Sequence, residues 1–201
     1  MKLVMIKYNA GNTRSLQYAL RRLGVEPLIT DDAEEILTAD KIIFPGVGEA
    51  SSAMKYLKSK QLDQVITQVK QPFLGICLGM QLMCTHSEEN DTPCLGIFDE
   101  AVKLFKTNDS SIKIPQIGWN TIGDLKSNLF NGIAENSHCY FVHSYYAHIG
   151  EHTIATTDYC SPYSAALNRN NFYGVQFHPE KSALVGEKII ENFINEDLIC
   201  R

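Results

Sequence analysis

Residues 73–81 read FLGICLGMQ, and the fold turns on how this stretch bends. Phe73-Leu-Gly-Ile76 is a short apolar run of the kind that forms a buried strand. From Gly79 the pattern becomes helical, with a predicted helix to about His86. Between strand and helix stands Cys77, flanked by Gly75 and Gly79 as G-x-C-x-G. A strand that turns at once into a helix holds its apex residue in a sharp, strained turn, and glycines leave room for it. The apex thiol would also sit at a helix N-terminus, where partial positive charge favours thiolate. On these residues alone, Cys77 is either a nucleophile or a small buried core residue.

Upstream, apolar runs and helical spacings alternate. Leu3-Val4-Met5-Ile6 predicts a buried strand, and Asn9-Ala-Gly-Asn12 a turn. Leu16, Ala19, Leu20 and Leu23 recur at helical spacing and stop at Gly24. Residues 27–30 predict a strand and 31–36 a capped short helix. Lys41-Ile-Ile-Phe44 predicts a strand, broken by Pro45-Gly46-Val47-Gly48. One or two helices then carry Ala53, Met54, Leu57, Leu62, Val65, Ile66 and Val69. This alternation implies a parallel sheet with helices on both faces and right-handed crossovers.

Downstream the rhythm changes. Apolar runs at 101–105, 112–114, 139–142, 153–156 and 173–177 are divided by polar or Gly/Pro turns, which predicts hairpins. The central sheet should therefore be mixed but mostly parallel. A last helix is predicted over 182–195, with Leu184, Ile189, Ile190, Phe193 and Ile194 on its apolar face. The chain shows no repeat, low-complexity tract or linker. Its 201 residues suit a single α/β domain spanning 1–201.

Composition narrows the function classes. Hydrophobic residues at 44% and charged residues at 20% suit a soluble globular protein. A net charge of -5 argues against a nucleic-acid binder, which needs a basic face. The first apolar run is too short for a signal-peptide core, and no stretch is long enough to span a bilayer. A cytoplasmic protein is expected. Its six cysteines, Cys77, Cys84, Cys94, Cys139, Cys160 and Cys200, are then expected as free thiols. No CxxC pair supports a zinc site, and no GxGxxG or P-loop lysine supports a nucleotide. No metal or cofactor is expected.

Two further motifs give Cys77 a chemical context. Val175-Gln-Phe-His178-Pro-Glu180 ends an apolar run with a histidine and a carboxylate two residues apart, and Pro179 breaks the strand between them. A thiol nucleophile needs an imidazole to take and return its proton. That imidazole needs a carboxylate to hold its tautomer. The glycine-rich Gly46-Val47-Gly48 turn can offer a backbone N–H to a developing oxyanion, as can Leu78. The order Cys, His, Glu differs from that of the α/β-hydrolases.

Together PGVG, GICLGMQ and FHPE, in this order, resemble the class I, triad-type glutamine amidotransferase family over nearly the whole chain. Asn9-Ala-Gly-Asn12, IPQIGWN at 114–120, YFVHSY at 140–145 and Lys181 resemble the glutaminase subunits of imidazole glycerol phosphate synthase. The resemblance implies a flavodoxin-like fold and a thioester mechanism on L-glutamine. It makes Cys77 the nucleophile, His178 the acid and base, and Glu180 the orienting carboxylate. Gln81, Ser144 and Tyr145 would hold the amino-acid end of the substrate. Ammonia would pass to a (β/α)8-barrel cyclase subunit in histidine biosynthesis. Asn12, Trp119, Asn120, Tyr140 and Lys181 match positions that face this partner. Two positions depart from the pattern: Gln116 stands where members usually have histidine, and Ala50 where an aromatic residue is common. The motifs also admit a paralogous subunit that feeds a surface-sugar or other synthase. Trp119 taken alone reads equally as core or as interface anchor.

Overall fold

The computed structural model describes residues 1–8 and 13–195. Its first half is built as β1 (Leu3–Ile6), α1 (Arg14–Arg22), β2 (Leu28–Thr30), α2 (Ala33–Leu37), β3 (Lys41–Phe44), α3 (Ala50–Ser59), α4 (Leu62–Gln68), β4 (Phe73–Ile76) and α5 (Leu78–Met83). Local chemistry sets several of these boundaries. Gly24, at φ 76°, follows the end of α1, where only glycine is unstrained. The Asp32 carboxylate caps α2 by accepting from Glu35 N–H at 3.0 Å. Glu49 caps α3 through Ser51 and Ser52 N–H groups.

The second half is mostly strand: β5 (His86–Ser87), β6 (Thr92–Pro93), β7 (Ala101–Leu104), β8 (Gln116–Ile122), β9 (Ser137–His143), β10 (Tyr145–Ala147), β11 (Thr153–Asp158), β12 (Pro162–Arg169) and β13 (Phe172–Val175). The chain's last described helix is α6 (Ala183–Asn195).

Among the described residues, seven strands form the central sheet, in the order β11-β12-β13-β4-β3-β1-β2. From β13 to β2 all neighbours run parallel, and β12 and β11 add antiparallel strands at one side. Side-chain alternation splits the core into two layers. Leu3, Met5, Ile43 and Leu74 face one layer with Leu16, Leu20, Ile189 and Phe193 of α1 and α6. Val4, Ile6, Ile42 and Phe73 face the other, with Ile36, Leu57, Ile66 and Leu82 of α2 to α5. Helices thus cover both faces, as the alternation in the sequence predicts.

The parallel strands bring three C-terminal ends together at one edge, where open α/β sheets bind ligands. There β3 runs into Pro45–Gly48, β4 into Cys77, and β13 toward His178.

Some predicted elements differ. Residues 112–114 are not a strand, and pairing starts at Gln116, where β8 meets β9. The helix after the elbow stops at Met83, and His86 lies in β5. Residues 95–98 fold back and supply N–H groups to the carbonyls of Leu82, Met83 and Cys84, so no further helical turn is needed to satisfy them. Leu184 is 82% exposed, contrary to its predicted place in the core. Gly186 is the α6 residue pressed against the Pro179 carbonyl, and Leu184, two residues away and so about 200° round the helix, lies on the opposite side. Among the described residues no helix is long and apolar enough to cross a membrane, and five cysteines are free thiols.

Candidate active site

Cys77 sits at the apex between β4 and α5 with φ 52° and ψ -110°. A non-glycine residue held there costs about 1–3 kcal/mol, so its surroundings must over-determine it. Its N–H donates to the Val175 carbonyl at 2.7 Å, and its carbonyl accepts from Gln81 N–H at 3.1 Å. The flanking glycines are needed for packing. A Cβ on Gly79 would collide with the Phe44 carbonyl oxygen, and one on Gly75 would lie 2.8 Å from Met80 N. The elbow therefore rests directly on the end of β3.

Beyond β13 the chain reaches His178, whose backbone N–H donates to the Tyr140 carbonyl at 2.8 Å. Ser182 Oγ donates to the His178 carbonyl at 2.6 Å and accepts from Tyr140 N–H at 2.9 Å. This stitches the His-Pro-Glu turn to β9. His178 Nδ1 lies 2.9 Å from Glu180 Oε1, and both side chains are nearly buried. That contact leaves Nε2 for the sulfur. Burial opposes protonation of His178. The charge of Cys77, a side-chain hydrogen bond to it, and Glu180 together outweigh burial and raise the His178 pKa to about 10. Glu180 Oε2 is buried with no hydrogen-bond partner among the described residues.

Cys77 and His178 open onto one cavity of about 320 Å³. Val47, Gly48, Leu78, Gln81, Ser144 and Tyr145 line it with them. Lys181 also reaches it. Gly46 lies beneath, with a Cβ there placed 2.7 Å from Leu78 Cβ. Trp119 and Tyr140 face each other across the β8–β9 pair, edge to face with ring centroids 5.8 Å apart, and Lys181 Nζ stands 5.9 Å from the Tyr140 centroid. Trp119 is 54% exposed, which excludes the core reading. Asn120 is tied internally, its amide donating to the Asp158 carbonyl at 2.8 Å. Asn12 lies outside the described residues.

Three further polar residues stand at the site. Gln176 is fully buried; its amide nitrogen is 3.6 Å from Cys77 Sγ, and its Oε1 accepts from Gln81 Nε2 at 2.9 Å. Gln81 Nε2 also donates to the Tyr145 carbonyl at 2.8 Å. Both Gln81 amide protons are thereby committed, and its Oε1 is the atom left for the cavity. A lone glutamine inside the apolar run VQF was the available signal. Glu89 is the one carboxylate that lines this cavity among the described residues, and partial burial, with Glu49 nearby, raises its pKa. Nothing local marked it. His143 is buried, donates from Nδ1 to the Tyr145 carbonyl at 2.7 Å, and lies against the Tyr163 hydroxyl. Gln116, the departure from the family pattern, points inward and accepts from Tyr163 Oη at 2.8 Å. That substitution is absorbed inside the fold. Ala50 is also buried, beginning α3, with its N–H donating to Glu89 at 2.8 Å. Among the described residues no cluster of His, Cys, Asp and Glu is placed to hold a metal ion.

Known proteins place the chain in a family. The model of the class-I glutamine amidotransferases matches residues 4–196. Over 194 residues the chain is 57% identical to the imidazole glycerol phosphate synthase subunit HisH of Bacteroides fragilis, covering 96% of this chain and 99% of that one. The HisH protein of Bacteroides thetaiotaomicron is 54% identical, over 97% of this chain and 100% of its own. Among solved structures, a glutamine amidotransferase from Thermotoga maritima shares the fold, with a TM-score of 0.64 at 19% identity over 97% and 83% of the two chains. An elbow cysteine, a facing histidine and whole-length likeness agree: the chain belongs to the class-I glutamine amidotransferase family, among the HisH subunits of imidazole glycerol phosphate synthase.

Proposed function

We propose that the chain hydrolyses L-glutamine through Cys77 and passes the ammonia to a (β/α)8-barrel cyclase subunit in histidine biosynthesis. The observation that carries this reading is the meeting of Cys77 and His178, from distant segments, in one cavity.

The Cys77 thiol gives its proton to His178 Nε2, and the resulting thiolate attacks the side-chain carboxamide carbon of glutamine. The carbonyl π electrons move to oxygen, which the Leu78 and Gly48 N–H groups stabilise. His178 gives its proton to the amide nitrogen as the C–N bond breaks, releasing ammonia and leaving a γ-glutamyl thioester. His178, now neutral, takes a proton from water, whose oxygen attacks the thioester. Collapse expels the thiolate and yields glutamate. Glu180 keeps Nδ1 protonated and the ring aimed at the sulfur. No step requires a metal or cofactor.

Substrate orientation follows from the charges lining the cavity. The α-ammonium fits between Gln81 Oε1 and the Glu89 carboxylate. The α-carboxylate then falls against the Ser144–Tyr145 turn. Trp119, Tyr140 and Lys181, with Asn120, form the partner-facing surface. Docking of the partner rotates the Val47–Gly48 peptide into its productive orientation; Gly48, at φ 133°, tolerates both. A free glutaminase would waste glutamine, which gives the gate a purpose.

The test combines labelling and capture. A glutamine-analogue chloroketone should label the native protein at Cys77 and fail to label Cys77→Ala, and a tagged chain should co-purify a barrel synthase from its source cell. Absence of labelling removes the enzymatic reading. Co-purification of a different synthase with an intact glutaminase would redirect the ammonia.

A further inference from the structure

A tyrosine two residues beyond β1 bonds to the base of the glycine-rich loop. Tyr8 is 7% exposed, and its hydroxyl donates to the Pro45 carbonyl at 2.6 Å. Its ring packs against Phe44, the last residue of β3, with centroids 5.1 Å apart. The residue after Pro45, Gly46, is confined from two sides. A Cβ there would lie 2.8 Å from the Tyr8 hydroxyl and 2.7 Å from Leu78 Cβ, and would collide with Gly79 N. The loop base is thus clamped between the tyrosine hydroxyl and the first turn of α5.

We propose that Tyr8 is a positioning residue for the oxyanion loop, fixing the Pro45–Gly46 peptide so that rotation is confined to the peptides beyond Gly46. The proposal rests on the reading of that loop as the oxyanion donor. A peptide whose carbonyl accepts a buried hydroxyl cannot turn over without leaving a buried donor unpaired. The peptides past Gly46 border the cavity, and their N–H groups are the ones available to an oxyanion. Without the hydroxyl, the whole loop would share the rotation, and fewer molecules would hold the donor aimed at the carboxamide oxygen. The nucleophile itself would stay in place, because the hydrogen bonds that hold Cys77 run to Gln81, Val142, Val175, Gln176 and His178.

Two reactions of the same sulfur separate these roles. Alkylation by iodoacetamide displaces iodide and develops no oxyanion, so it reads the thiol alone. Glutamine turnover reads the thiol and the loop together. The native complex and its Tyr8→Phe variant should be compared in both, with kcat and KM measured separately and folding checked by thermal melting. The expected result is a fall in kcat of at least about tenfold, with KM and the alkylation rate within about twofold of wild type. A Tyr8→Phe kcat within about twofold of wild type overturns the proposal and leaves the function standing. Parallel loss of alkylation and turnover also overturns it, because the residue would then be holding the elbow. Wild-type protein that alkylates normally and hydrolyses no glutamine overturns the glutaminase reading, and the proposal with it.

Discussion

His143 makes the stability of this fold depend on pH in a way that one substitution isolates. The ring is 7% exposed, with Nδ1 on the Tyr145 carbonyl and Nε2 beside the Tyr163 hydroxyl. Burial favours the neutral ring. The Tyr145 carbonyl opposes this and His178 adds to it, and the net effect lowers the pKa from 6.5 to about 4. Above ~6.5, neither folded nor unfolded chain protonates the residue, and it adds no pH dependence. Below that, only the unfolded chain takes the proton until the pH approaches about 4. The depressed folded pKa therefore means stability present above ~6.5 and lost as pH falls. The slope is about 1.4 kcal/mol per pH unit, and the full interval is worth about 3 kcal/mol. Urea unfolding of wild type and His143→Gln, from about pH 7.5 to about pH 4.5, measures it. The variant should be the less stable protein at neutral pH, and the gap should close by about 2 kcal/mol by about pH 5. Carboxylates held low by their partners, such as Glu49, destabilise both proteins alike in acid and cancel in the difference. Parallel stability curves would refute the reasoning, since the buried ring would then gain its proton as readily as the unfolded one.

Gly79→Ala should destabilise the protein by about 1–3 kcal/mol, because the methyl group meets the backbone oxygen of Phe44 and no rotamer relieves the collision; an unchanged unfolding midpoint would contradict this. Glu89→Gln should raise KM for glutamine by about tenfold or more with kcat little changed, and steady-state kinetics would expose the error if kcat alone moved. Trp119→Ala should weaken recovery of the barrel partner while leaving the melting temperature within about 2 °C, given that the side chain is half exposed. A large loss of thermal stability would show it to be core.

Much of the site's chemistry was legible because it is written locally. A cysteine held at positive φ requires slender neighbours, and Gly75 and Gly79 flank it two residues away on either side. A histidine and carboxylate split by Pro179 declare a broken strand whose two polar groups lie side by side. Glu89 and Tyr8 carry no such mark, and Gln176 only that of a lone amide inside the apolar run VQF. Each is one polar residue in an ordinary context, and its significance comes from a contact with an atom far away in sequence. The end of α5 is hidden from the local sequence for the same reason, since residues 95–98 cap the helix end from a distance.

By itself, the order of residues determined the alternation of strands and helices, the turn that lifts the thiol, and the family resemblance. These depend on backbone preferences and apolar spacing within a few residues. Only the tertiary structure decided that β13 pairs with β4, which carries His178 to the sulfur, and that a tyrosine just past the first strand reaches the glycine-rich loop. Pairing between distant segments is chosen by how whole layers pack, and no short stretch of chain encodes that choice.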